Sequence, residues 1–213
     1  MSNIVLQPNA SGTGSITITT PNTNTDRTLN IPDVAGNIVT TGDSGTVTGT
    51  MIGSLPAGSI VQVVSTTKTD PFSESVASGS SSSIITGLTA SITPRSTNSR
   101  ILVHFMVDCG QQGTYLTLCE NGSAITAATG DAAGSAQRVT ATRDFTYSTF
   151  YNQSIAGTFV HSPASTSALT YGVKISHSSQ STRTMYVNQT PDGLTDDEHG
   201  RAISTLTVME IQG

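Results

Sequence analysis

The stretch at residues 55–103, LPAGSIVQVVSTTKTDPFSESVASGSSSSIITGLTASITPRSTNSRILV, constrains the fold more than any other part of the chain. In three runs, residues 59–66, 84–92 and 99–108, β-branched and apolar residues alternate with small polar ones, and Pro- or Ser-rich turns bound each run. A period of two places every second side chain on one face of an extended strand, so the three runs are predicted strands with one buried face. They open a β-sandwich.

The rest of the second part of the chain continues the pattern. Residues 115–119 alternate, Asn121-Gly122 supplies the φ > 0 pair of a type I′ turn, and 124–127 is predicted to return as the partner strand. A flexible loop follows at 129–136. Further predicted strands cover 138–142, 145–151, 155–161, 168–177, 182–188 and 202–211, and no ten-residue helical period occurs anywhere. About ten strands at this spacing predict an all-β sandwich, jelly-roll-like, over residues 55–213.

Residues 1–54 are a different kind of sequence. Short apolar runs at 4–6, 16–18, 29–31 and 38–39 are separated by turn-forming clusters, and a Gly-rich neck at 42–53 joins them to the sandwich. Such a meander buries too little to offset about 1–2 kcal/mol of ordering entropy per residue, so it needs partner chains. Three copies around a threefold axis share one apolar seam, which predicts an extended trimeric β shaft or anchor.

Composition narrows the function. The chain holds 29 Ser and 36 Thr among 213 residues, a hydrophobic fraction of 35% and no Trp, so its core is lean and completed by neighbours. Only 11% of residues are charged, with a net charge of −5 and no basic patch, which argues against nucleic acid as a partner. The first residues, MSNIVLQPNAS, lack a basic region followed by an apolar one, and no run approaches a membrane span; we expect synthesis in a cytosol and no membrane insertion. Cys109 and Cys119 lie on what read as neighbouring strands, where they could face each other across a hairpin; a reducing origin favours buried free thiols.

Several of these residues carry a resemblance. Residues 58–64, 86–94 and 99–103 are similar to a GSIVQVV-like strand, a TGL-x-x-SITP-like strand and an S-(K/R)-ILV-like strand that open a C-terminal domain of tailed-bacteriophage fibre and other virion proteins. The closing ISTLTVMEI resembles that domain's last strand. Arg27–Leu29, Ile31–Asp33, Gly36 and Ile38–Val39 match the (R)-T-L-x-(I/L)-P-D-x-x-G-x-(I/L/V) phrase of the fibre lead-in, which in that family belongs to an interwoven trimeric shaft. The resemblance implies a virion setting and an architecture, and names no receptor.

Catalytic constellations are not readable. Gly42-Asp43-Ser44-Gly45 is similar to a protease nucleophile loop, but no His precedes His104, so turn chemistry explains it. The histidines His104, His161, His177 and His199 are too dispersed for a local metal motif, and His104, inside an apolar run, is expected to be a satisfied core or interface residue. The acidic stretch 191–200 reads as a solvated loop rather than a Ca²⁺ site. Scattered carboxylates nominate no glycosidase pair. We therefore expect no enzyme activity, no cofactor and no metal.

The expected function is a homotrimeric tail fibre that attaches to a bacterial surface saccharide, with a capsid or neck decoration protein as the alternative and a small depolymerase as a further one. Loop tips are the expected receptor-binding elements, with Thr129, Asp131 and Ser135 in one loop and Asp192, Asp196 and Asp197 in the other. Ile4, Val5 and Leu6, a terminal apolar strand, are expected to dock into another virion protein by adding to a sheet edge.

Overall fold

A computed structural model describes residues 11–14, 17, 24–26, 28, 55–143, 152–191 and 200–213. The chain divides into two compact units, Met1–Val47 and Thr48–Gly213. The Ile4–Val5–Leu6 strand, the fibre-like lead-in from Leu29 onward, the expected boundary at 54/55, the expected strand 145–151 and the acidic loop with Asp192, Asp196, Asp197 and His199 lie outside the described residues. The elements below belong to the second unit.

Its strands are β1 (Ile60–Lys68), β2 (Phe72–Val76), β3 (Ser81–Ile92), β4 (Arg100–Cys109), β5 (Thr114–Glu120), β6 (Ser123–Ala124), β7 (Ala141–Thr142), β8 (Gln153–His161), β9 (Leu169–His177), β10 (Arg183–Val187) and β11 (Ser204–Ile211), with one 3-10 turn at Thr126–Ala128. They form two antiparallel sheets. The first runs β1-β11-β4 with β8 on the far side of β4. β10 meets β4 only at Val187 opposite Cys109, past the start of β11, and carries β2 on its outer edge. The second sheet runs β3-β9-β5, and β6 and β7 share the outer edge of β5.

One long ribbon explains this order. β1, β2 and β3 run consecutively against β11, β10 and β9, each pair antiparallel. Folding the ribbon over puts its two halves into opposite sheets, and the β4–β8 and β5–β6/β7 pairs complete them. That is the jelly-roll construction expected from strand spacing. The type I′ turn is also present, with φ of 49° at Asn121 and 82° at Gly122.

Alternation fills the space between the sheets. Ile101, Val103, Phe105 and Val107 of β4 point inward onto Leu116, Leu118, Val173 and Ile175 of the second sheet, all without exposure. Opposite Phe105 on β8 stands Gly157. A Cβ there would lie 2.5 Å from Phe105 Cζ, so the missing side chain is the space the phenyl ring occupies.

Five expectations change. Phe72–Val76 is a strand although Asp70-Pro71 and the following Ser/Gly cluster read as one long turn; pairing with β10 supplies the partner that a five-residue run cannot supply itself. The return strand of the hairpin is two residues long, because Ile125 turns inward and the chain enters the 3-10 turn. The strand expected at 138–142 shrinks to Ala141–Thr142; before it Arg138 is exposed and Val139 and Thr140 are both half-buried, without the alternation of a strand.

The fourth change is at His104, where the core half of the expectation fails: the residue is exposed on the outer face of β4, with its Nδ1 2.9 Å from Thr158 Oγ1. The satisfied core histidine is His177 instead: its Nε2 donates to Val76 O at 2.9 Å and its Nδ1 accepts from the Ser179 amide at 3.1 Å. The fifth concerns the thiols. Cys109 and Cys119 are free and buried, as expected from a reducing origin, but β4 and β5 belong to different sheets, so no hairpin brings the thiols face to face. Burial raises both thiols above their ordinary range and leaves them unreactive.

Candidate functional site

Where β8 ends and the β5–β6 hairpin begins, the two sheets open into a depression of about 370 Å³. Glu120, His161 and the run Ser123–Ala127 line it. Strand register assembles its polar floor. Leu116, Leu118 and Glu120 share the inward face of β5, and Glu120 stands directly opposite Tyr171 of β9. His161 reaches the same point from the other sheet, as the last inward residue of β8.

His161 Nδ1 lies 2.9 Å from Tyr171 Oη and 3.4 Å from Glu120 Oε2. The ring meets Tyr171 edge-on, with centroids 5.9 Å apart, and is tilted against Phe159 at 6.4 Å. Burial, reinforced by the Glu120 carboxylate, pushes the Tyr171 phenol far above its usual range, so it keeps its proton. Burial also lowers the His161 imidazole below its ordinary value, with Glu120 opposing the shift. That shift favours the neutral ring, whose Nδ1 faces the Tyr171 hydroxyl. The depression thus combines a carboxylate, an imidazole, the hydroxyls of Ser123 and Thr126, and an apolar wall from Ile125 and the neighbouring alanines. Such a mixture hydrogen-bonds a hydroxyl-rich ligand against an apolar surface.

This chemistry makes the fold sensitive to acid. The His161 value in the folded chain lies below the unfolded 6.5, so between the two the unfolded chain binds more protons. Stability is full above about pH 6.5 and falls as acid protonates the buried ring. Urea unfolding at pH 7.5 and pH 5.5 should show the decline, and H161Q should flatten it. An equal slope in wild type and variant would exclude His161 as its source.

The loop expected to recognise a target leaves the same hairpin. Thr129 is not at its tip: its backbone N–H and its Oγ1 both donate to Thr126 O, closing the 3-10 turn. Arg138 Nε donates to Gly130 O at 2.7 Å and Gln137 Nε2 to His177 O at 2.9 Å, which pins the base of the arm to the second sheet. Asp131 and Ser135 are exposed on the arm between these anchors. The two expected candidate loops are brought together by no described contact.

A second polar cluster ties strand ends rather than lining a cavity. Asn188, in the left-handed region at φ 57°, donates from Nδ2 to Lys68 O and Asp70 O and accepts from Ser204 Oγ, which in turn accepts from the Asp108 amide. Burial raises the Asp108 carboxyl even though Asn152 and Ser154 donate to it. Among the described residues no group of three or more His, Cys, Asp or Glu could hold a metal ion.

Sequence reasoning named His161 only as a dispersed histidine and missed Glu120 and Tyr171. A signal existed at Glu120, a carboxylate on the inward alternation of a strand that otherwise presents leucines there.

No protein-family model matches the chain, and no curated protein matches it. Among solved structures it is similar to the crystal structure of the infectious bursal disease virus VP2 subviral particle, at 16% identity and a TM-score of 0.35. That match covers 71% of this chain and 38% of the VP2 chain, so the chain spans about two fifths of its length. A similarity of this size assigns neither a topology nor a role.

Proposed function

We propose that the protein is a non-enzymatic virion structural protein, a homotrimeric bacteriophage tail fibre whose jelly roll attaches the particle to a saccharide of the bacterial surface. The observation that carries the reading is the pairing of a rigid sandwich with recognition elements at one place on it: the exposed arm between Gly130 and Gln137, and beside its root the depression lined by Glu120 and His161, with Tyr171 buried behind the imidazole. Loops on a rigid scaffold vary without loss of fold, which suits a surface that follows a changing receptor. The fibre-like phrases along the sequence support the virion setting. Among the described residues the depression presents one carboxylate, whereas glycoside hydrolysis ordinarily needs two, which favours binding over cleavage.

The test is adsorption. Replacing residues 131–136 by a short Gly/Ser linker keeps the Gly130, Gln137 and Arg138 anchors and is expected to leave thermal unfolding unchanged while abolishing binding of the purified protein to host cells. A parallel exchange of 191–200 probes the other loop. Binding that persists with both loops exchanged would overturn the attachment reading in favour of a capsid or neck decoration protein.

A further inference from the structure

The outer face of the first sheet is built differently from the rest of the surface. Antiparallel register places Val63 opposite Met209, Met209 opposite Leu102, and Leu102 opposite Val160, so one apolar row crosses four strands without a break. Val63 is 56% exposed and Val160 43%. Ile60, 57% exposed, and Ile211 stand side by side at the end of the same face. Directly opposite side chains in a sheet form a continuous surface, so these are not scattered apolar residues but a strip.

Charge sharpens the point. In the rows led by Ile60, Val63, Ser65 and Thr67 there is no carboxylate, and Arg100 and His104 are the only ionisable groups. The whole chain carries −5. The next carboxylate on this face, Asp108 opposite Ser154, is buried. Rows without an exposed carboxylate on an acidic protein let two identical molecules meet without repelling.

We propose that this face is a contact between copies of the chain, so that the jelly rolls themselves, and not the N-terminal shaft alone, close around the threefold axis. The proposal rests on the trimer reading above. Size agrees with it. Four strands about 4.8 Å apart and four rows about 6.8 Å apart cover roughly 520 Å² in projection. That is about two thirds of the ~800 Å² per partner that a self-sufficient interface buries, which fits a contact supplemented by a shaft and not a free-standing dimer.

Two serines give a matched test. Ser65 Oγ is 2.7 Å from Thr207 Oγ1 on the proposed contact face, and Ser91 Oγ is 2.8 Å from Thr170 Oγ1 on the outer face of the second sheet; both serines are exposed in the single chain. In the full-length protein, S65C and S91C are each treated with a maleimide, the native thiols being buried, and mass in solution is measured alongside. The expected result is a trimer in which S65C reacts at least tenfold more slowly than S91C. V63D, at a position exposed in the single chain, should then bring the two rates together. Equal rates in a trimer would overturn this contact and leave the trimer standing; a monomer would overturn both. Protection of S65C that survives V63D, or that occurs in a monomer, would assign the cover to the chain's own first 54 residues and defeat the proposal.

Discussion

Replacing Asn188 with alanine should lower unfolding stability by about 3–5 kcal/mol, among the largest effects of any polar substitution in this protein. Asn188 has no exposure, and its side-chain amide reaches β1, the turn after it and β11 together. Alanine leaves the Lys68 carbonyl and the Ser204 hydroxyl each short of a buried partner, at about 1–3 kcal/mol apiece. It also forces a Cβ-bearing residue without a local hydrogen bond into φ 57°, which adds about 1–2 kcal/mol. N188G separates the two contributions, because glycine accepts the backbone but makes none of the bonds. Chemical denaturation should place N188G between wild type and N188A. A loss below 1 kcal/mol in N188A would show that the amide network does not hold the β1–β10–β11 junction.

The second large effect is expected at the centre of the core. Phe105→Ala removes one of the largest fully buried side chains, and such truncations cost about 3–5 kcal/mol. The partner across the ladder gives a reciprocal test. Gly157→Ala brings a methyl to 2.5 Å from the Phe105 ring and should cost about 1–3 kcal/mol by overpacking. In the double variant the methyl enters space that the phenyl has vacated. Its loss should therefore be smaller than the sum of the single losses, by 0.5 kcal/mol or more. Strict additivity in a denaturation cycle would mean that Gly157 is there for the backbone and not for the ring.

These two sites show how far sequence reaches. The strands expected at 59–66, 84–92 and 99–108, and those at 155–161, 168–177, 182–188 and 202–211, were legible because alternation of apolar and small polar residues is a local consequence of one buried face. The type I′ turn at Asn121-Gly122 was legible because its positive φ angles are a local requirement. Burial of the two cysteines followed from their chemistry. Phe72–Val76 was not legible, since five residues become a strand only when β10 lies beside them.

The polar cluster of Glu120, His161 and Tyr171 was hidden for a related reason. Its residues are separated by up to 51 positions, and only the register of β5 against β9, with β8 arriving from the opposite sheet, brings them within hydrogen-bonding range. The strip Val63–Met209–Leu102–Val160 is the same kind of fact: each residue occupies an ordinary alternating position, and nothing in the sequence aligns one with the next. The sequence by itself determined the fold class, most strand positions and the lean, weakly charged surface, because these depend on neighbours along the chain. Which strands pair, which histidine is buried and which face is left apolar were decided by tertiary structure, because in a sheet the shift of one residue moves every side chain to the other side.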